Sequence, residues 1–208
     1  MYYLLLLFIL IISSIICGII ISHVIIYYFS FLIIGFILPI KYYIIPSKTN
    51  PEFILETRII LLNSNINNKF KIKEVFNEQD AHIIIALKSR KSLDKYHDKI
   101  EYYKGTDKVI RFSFTWQYPK PYIAIDKTSW TYGISESGLS LSEYRQYVIQ
   151  HEFMHGLGYD HQLCNEETTI NKICPILYQA TRGPPKGFSA GYSVTPIDYT
   201  KKIKGSYF

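Results

Sequence analysis

The first forty residues of the chain lack any Asp, Glu, Lys or Arg, and all 23 basic and 17 acidic residues lie after Ile40. A helix that spans a bilayer needs about 20 consecutive apolar residues, and this run is longer than that. A cleavable signal peptide would begin with basic residues and end at a small-residue cleavage site, and the run shows neither. The lack of charge therefore predicts a retained membrane anchor over residues 1–40.

The number of spans in this anchor and its orientation stay open. Two short spans would break near Ser22 and His23, but no Pro, Asn or Gly-rich turn marks a break there, which favours one long or tilted helix. Only the amino terminus precedes the run, whereas Lys41, Lys48 and Arg58 follow it. By the positive-inside rule, these charges favour a cytoplasmic position for the rest of the chain.

Cysteine and internal repeats are also scarce. Three cysteines and the lack of any repeat exclude a disulfide-dense mini-protein and a collagen-like chain. The chain shows no signature of a nucleic-acid-binding fold, and its net charge of +6 is spread over residues 41–208. We therefore expect a solvated surface, or attraction to anionic lipid, and no nucleic-acid partner.

The charged remainder predicts a short linker followed by one domain. Residues 41–51 contain Pro46 and Pro51 and predict a linker, so the domain occupies residues 52–208. Apolar periodicity predicts helices and strands in the following order: a helix at 52–62, strands at 70–76, 81–87, 109–115 and 122–126, and a helix at 141–157. This order is typical of an α+β domain.

The last of these helices carries the strongest motif in the chain. Its start is marked by Ser140 and Glu143, which fit the capping box S-x-x-E. Near its end, residues 151–161 read HEFMHGLGYDH and match H-E-x-x-H-x-x-G-x-x-H at every fixed position. The helical context is the one that such a motif requires, so we interpret it as functional.

The spacing of this motif has a chemical reason. His151 and His155 are one helical turn apart, so both rings can reach one metal ion. Gly158 permits a sharp turn that returns His161 as a third ligand. Three neutral imidazoles leave a fourth position open, which is typical of a catalytic zinc site. Glu152 lies beside this position, where it can accept a proton from water that the metal activates.

The motif resembles that of the metzincin clan of zinc endopeptidases, and residues 122–183 resemble a zincin-like domain family of secreted or anchored bacterial proteins. A weaker resemblance extends back to Ala81. The resemblance as a whole implies a zincin-like domain in which a mixed sheet packs on the active-site helix. It also implies one catalytic Zn²⁺, Glu152 as general base, and a peptide or protein substrate. Residues 122–126 would be the edge strand along which that substrate lies.

One position departs from the clan, which places a methionine beneath the metal in a turn after the third histidine. The matching turn is residues 174–179, with Leu177 at that place, because the only methionines are Met1 and Met154. Leucine is a near-isostere and should keep the packing. Some clan members use a tyrosine of this turn as a metal ligand or hydrogen-bond donor. Tyr178 differs in register by one residue, so packing is the alternative role.

Cys164 and Cys174 bracket the loop between the third histidine and this turn. A disulfide between them would close a short loop and hold the turn against the site. Two free thiols, or half of a second metal site, are the alternatives. A disulfide requires an oxidising compartment, so it opposes the charge argument and favours an extracytoplasmic domain.

These features predict a membrane-anchored, zinc-dependent endopeptidase that contacts the lipid bilayer through residues 1–40. The alternative is a catalytically inactive zincin-like domain that acts as a membrane-tethered binding module. Leu177 motivates that alternative, since it replaces the methionine of the clan.

Overall fold

The computed structural model describes residues 39–94, 113–117 and 119–193. The chain divides into two units, residues 1–39 and 40–208, and the elements below belong to the second. The anchor predicted over residues 1–40 lies outside the described residues, apart from its last two positions. Within the described ranges, no helix has both the length and the apolar character needed to cross a membrane.

The described residues form one sheet and a set of helices. The strands are β1 (Ile40–Ile44), β2 (Ile72–Glu74), β3 (Ile83–Lys88), β4 (Phe114–Trp116) and β5 (Tyr122–Asp126). The helices are α1 (Glu52–Asn63), α2 (Asn65–Phe70), α3 (Arg90–Leu93), α4 (Lys127–Tyr132) and α5 (Leu141–Gly156). The predicted helices at 52–62 and 141–157 are therefore confirmed as α1 and α5.

The sheet is mixed, with the strand order β2-β1-β3-β5-β4. The pairs β1–β2, β1–β3 and β3–β5 are parallel, whereas β4 runs antiparallel to β5. Helices pack on this sheet, in agreement with the predicted α+β class.

The prediction that residues 122–126 form the edge strand is wrong. This segment is β5, which pairs with β3 on one side and with β4 on the other. Its central residues Ile123, Ala124 and Ile125 are all buried, as expected for a strand inside a sheet. Strand β4 is the edge strand on this side of the described sheet.

The linker predicted for residues 41–51 begins with a strand instead. Residues 40–44 form β1, which lies between β2 and β3 in the sheet. Tyr42 and Ile44 are buried there, because their side chains face the main core. The reason for the difference is that a five-residue strand directly after an apolar run has too short a pattern to stand out.

Helix α5 packs across the sheet through its carboxyl-terminal half. The ring of Phe153 meets that of Tyr42 edge-on, with centroids 5.9 Å apart. Gly156 lies close to Ile83 of β3 and Ile123 of β5, where a Cβ would stand 3.5 Å from both side chains. This packing brings the end of α5 close to strands β5 and β4.

Arg145 fixes the amino-terminal half of α5 against two other helices. Its guanidinium contacts both carboxylate oxygens of Glu56 in α1, at 2.7 and 2.8 Å. It also donates to the carbonyl of Trp130 in α4 at 3.0 Å and lies over that ring. The helix that carries the motif is thus held at both halves, one by packing and one by hydrogen bonds.

Candidate metal centre

Helix α5 has well-defined ends. The Ser140 hydroxyl accepts from the Glu143 N–H, and the Glu143 carboxylate accepts from the Ser140 N–H at 2.9 Å, which confirms the predicted capping box. At the other end Gly158 has φ +86°, and its N–H donates to the His155 carbonyl. The N–H of Tyr159 donates to the Met154 carbonyl, which completes a Schellman motif. This turn directs the chain from the helix towards His161.

The three histidines of the motif meet at one point. The Nε2 atom of His155 lies 3.1 Å from Nε2 of His151 and 3.2 Å from Nε2 of His161. One ligand atom from each residue lies within 4.8 Å of the others. His151 and His155 are buried, whereas His161 is exposed, so the cluster is open to solvent on one side.

Two main-chain carbonyls orient the buried rings. Nδ1 of His151 lies 2.7 Å from the Ile176 carbonyl oxygen, and Nδ1 of His155 lies 2.6 Å from the Tyr159 carbonyl oxygen. A carbonyl oxygen only accepts, so both Nδ1 atoms must carry the hydrogen. In the neutral rings, the Nε2 lone pairs of His151 and His155 then point at the common centre.

Both buried rings are neutral near pH 7. Burial, followed by the charges of His155 and His161, lowers the pKa of His151 well below its usual value. Burial and His161 lower the pKa of His155 to about 4. Two lone pairs 3.1 Å apart therefore face each other with no hydrogen to share. A cation at the common centre removes this repulsion, so the three histidines are able to hold a metal ion.

Glu152 follows His151 in α5, is buried, and is held from the edge strand β4. Its Oε2 accepts from the Thr115 hydroxyl at 2.7 Å. Burial raises the pKa of Glu152 to about 8, and the Thr115 hydrogen bond opposes that rise. The side chain can therefore hold or release a proton near neutral pH, as a general base or acid must.

The loop after His161 is closed by a disulfide between Cys164 and Cys174, the alternative favoured from the sequence. The Gln162 N–H donates to the Leu177 carbonyl at 3.1 Å, which ties the two ends of this loop together. The disulfide thus links the segment of the third histidine to the segment whose Ile176 carbonyl orients His151.

The sequence predicts that Leu177 and Tyr178 lie in the turn against the site. The side chain of Leu177 is fully buried in the main core. The Tyr178 hydroxyl donates to the Gly183 carbonyl at 2.8 Å, so its hydrogen stabilises the turn. Among the described contacts, neither side chain hydrogen-bonds to the histidines or to Glu152.

More than half of the chain matches a known protein family. A family model described as a protein of unknown function, DUF3152, matches residues 63–187. The chain belongs to the DUF3152 family. The matched range contains the three histidines, Glu152, edge strand β4 and the disulfide. No curated protein matches the chain.

Three residues at the site of this DUF3152 chain lie outside the histidine motif. Thr115 of β4 hydrogen-bonds to Glu152, and Gln117, directly after β4, hydrogen-bonds to the carbonyl of His155. Both lie more than 35 positions earlier in the chain than their partners. Tyr147 is buried with its ring 5.0 Å from the His151 ring, and its hydroxyl donates to the Tyr178 carbonyl. Its position four residues before His151 is a signal in the sequence that predicts this contact.

Gly191 lies close against the main chain of the disulfide loop at Cys174. A Cβ at this position would come within 2.2 Å of the Cys174 carbonyl oxygen. We expect Gly191→Ala to lower the free energy of unfolding by about 2 kcal/mol, because main-chain atoms must move to relieve the clash. Thermal unfolding of the zinc-free DUF3152 chain measures this. Gly156→Ala is the matched control, since its Cβ would make ordinary contacts, and an equal loss in both variants would contradict the prediction.

Proposed function

We propose that this chain is a membrane-anchored, zinc-dependent endopeptidase with a zincin-like fold. The observation that carries the proposal is the convergence of three histidine Nε2 atoms, with the buried carboxylate of Glu152 directly after His151 in α5. The mixed sheet packed on α5 is the arrangement that the resemblance to zincin-like domains implies.

The spacing of the ring nitrogens supports zinc as the metal. Zinc binds imidazole nitrogen at about 2.0–2.1 Å in tetrahedral geometry, which puts neighbouring ligand nitrogens about 3.3 Å apart. The separations of 3.1 and 3.2 Å between His155 and its two partners are close to this value. Three neutral imidazoles also leave one position for water or substrate.

Each group at the site has a separate role in the proposed reaction. Zinc, when bound, supplies a Lewis acid that polarises the peptide carbonyl and lowers the pKa of water. Glu152 accepts the proton of the attacking water and later donates it to the leaving amine. His151 and His155 hold their orientation through the Ile176 and Tyr159 carbonyls.

Strand β4 offers the place for an extended substrate. Its pairing with β5 leaves its other edge as the outer edge of the described sheet. Its residue Thr115 contacts Glu152, so a peptide that extends the sheet at β4 runs beside the proposed base. We assign the substrate edge to β4 in place of residues 122–126.

Two features support the proposed location. The charge-free run over residues 1–40 supports attachment to the bilayer. The disulfide between Cys164 and Cys174 supports an extracytoplasmic domain, because disulfides persist in oxidising compartments.

The test uses the full chain purified in mild detergent and loaded with zinc. We expect one zinc ion per chain and cleavage of a mixed peptide library. Glu152→Gln should keep the zinc and lower the rate about 10²–10⁴-fold, because the isosteric amide cannot accept the proton. The cleavage products are identified by mass spectrometry and begin to define the specificity.

Two results would contradict this proposal in different ways. A folded chain without stoichiometric metal would remove its basis. A chain that binds zinc and cleaves no peptide would favour the inactive, membrane-tethered binding module. Leu177→Met is then the next variant, because Leu177 marks the departure from the clan.

A further inference from the structure

The hydroxyl of Thr115 contacts Glu152 in two ways. It lies 2.7 Å from the side-chain Oε2 and 3.0 Å from the main-chain carbonyl oxygen. A hydroxyl has one hydrogen, and its shorter contact is the one to the side-chain oxygen, so the hydrogen goes to Oε2. Within the described residues, no other side chain hydrogen-bonds to this carboxylate.

The strand that supplies Thr115 is itself fixed to α5. Gln117 directly follows β4, two residues after Thr115, and its side chain also reaches α5. The Gln117 side-chain amide donates to the His155 carbonyl. The two contacts bracket one turn of the helix, from Glu152 to His155, and they set the position of the hydroxyl along it.

Burial makes this contact important for a base. A buried carboxylate without a donor can adopt several rotamers and pays the full cost of desolvation. A donor on Oε2 fixes the plane of the carboxylate and leaves Oε1 for proton transfer. An error of about 1 Å in such a group is enough to lower a rate about a hundredfold.

We infer that Thr115 is a positioning residue, which holds the Glu152 carboxylate through Oε2 so that Oε1 takes the proton of the attacking water. In that step the O–H bond of water breaks and an O–H bond forms at Oε1. The oxygen of the water forms a bond to the peptide carbonyl carbon while the C=O π bond breaks and its electron pair moves to the carbonyl oxygen. This inference rests on the proposed endopeptidase function. It concerns a residue of the edge strand that the histidine motif does not contain.

The experiment compares Thr115→Val, Thr115→Ser and wild type as full chains loaded with zinc. We expect Thr115→Val to lower kcat about tenfold to a hundredfold, while KM changes less than about twofold and the zinc content stays the same. Thr115→Ser restores the hydroxyl and should recover most of the loss. The matched control is Thr131→Val in α4, whose hydroxyl donates to the Lys127 carbonyl at 2.8 Å, and its kcat should not change.

A second readout does not depend on turnover. The infrared carboxylate band that disappears in Glu152→Gln belongs to Glu152. In the zinc-loaded chain this band should shift in Thr115→Val and return in Thr115→Ser, because its hydrogen bond is lost and regained.

The outcomes separate the two proposals. If wild type cleaves peptides and Thr115→Val retains full kcat or an unshifted band, the positioning role is wrong and the peptidase stands. If wild type binds zinc but cleaves nothing, the peptidase fails and the positioning role fails with it. A band shift in that case would assign the contact a purely structural role.

Discussion

Replacing His155 by alanine is expected to abolish zinc binding and, with it, peptide cleavage. His155 is central to the cluster, because its Nε2 is within 3.2 Å of both other histidines. Loss of a residue that only supports a ligand costs about 10–100-fold in metal affinity, so loss of the ligand itself should cost more. Metal analysis after dialysis against a fixed zinc concentration measures the change.

The same variant should lose the stabilisation by zinc. A ligand at 1,000 times its Kd stabilises the folded state by about 4 kcal/mol, and His155→Ala should show almost none of this increase. His82→Ala is the control, because His82 lies outside the cluster and accepts from the Lys41 N–H. Retention of stoichiometric zinc by His155→Ala would contradict the assignment of the metal site.

The stability of the zinc-free chain should fall as the pH rises from 6.5 to 8. Burial raises the pKa of Glu152 to about 8 in the folded state, from an ordinary value of 4.5. Between these two pKa values the folded state holds a proton that the unfolded state has lost, so stability decreases with pH. From pH 6.5 to 8, the expected loss is about 1.5 kcal/mol. Urea unfolding after treatment with a chelator measures it.

At lower pH, the two buried histidines change the folding stability in the opposite direction, because they add stability as the pH rises. The pKa of His155 is lowered to about 4 and that of His151 is also lowered, so the unfolded state takes up protons first below pH 6.5. The contribution of His155 to stability therefore rises from about pH 4 to 6.5 and is complete above it, and that of His151 is likewise lost below pH 6.5.

Glu152→Gln isolates the contribution of the carboxyl group. This variant should remove the decline between pH 6.5 and 8, since its amide does not titrate. Zinc should also flatten the decline in wild type, because a nearby cation favours the ionised carboxylate. An identical slope in wild type and Glu152→Gln without zinc would contradict the raised pKa.

The local part of the site was predictable from the sequence. Ser140, Glu143 and Gly158 specify the ends of α5 through contacts within a few residues, and the structure shows the expected cap and turn. His151 and His155 share a helix face by spacing alone. Such features depend on short-range geometry, which the order of residues determines directly.

The non-local part could not be predicted in the same way. The sequence predicts strands at residues 109–115 and 122–126, but their periodicity does not say which one lies at the edge. The pairing of β5 with β3 decides that, and it joins residues that are 38 positions apart in the chain. The contact of Thr115 with Glu152 follows from the same pairing, so no motif announces it.

The supports of the two buried histidines are main-chain atoms, namely the carbonyls of Ile176 and Tyr159. A carbonyl is present whatever side chain the residue bears, so the orientation of the rings is insensitive to the identity of these two amino acids. Substitutions of Ile176 and Tyr159 are then limited only by how the new side chains pack. The ring orientation is sensitive instead to the features that set the path of the main chain at these carbonyls. These features are Gly158 for the Tyr159 carbonyl and the disulfide loop for the Ile176 carbonyl.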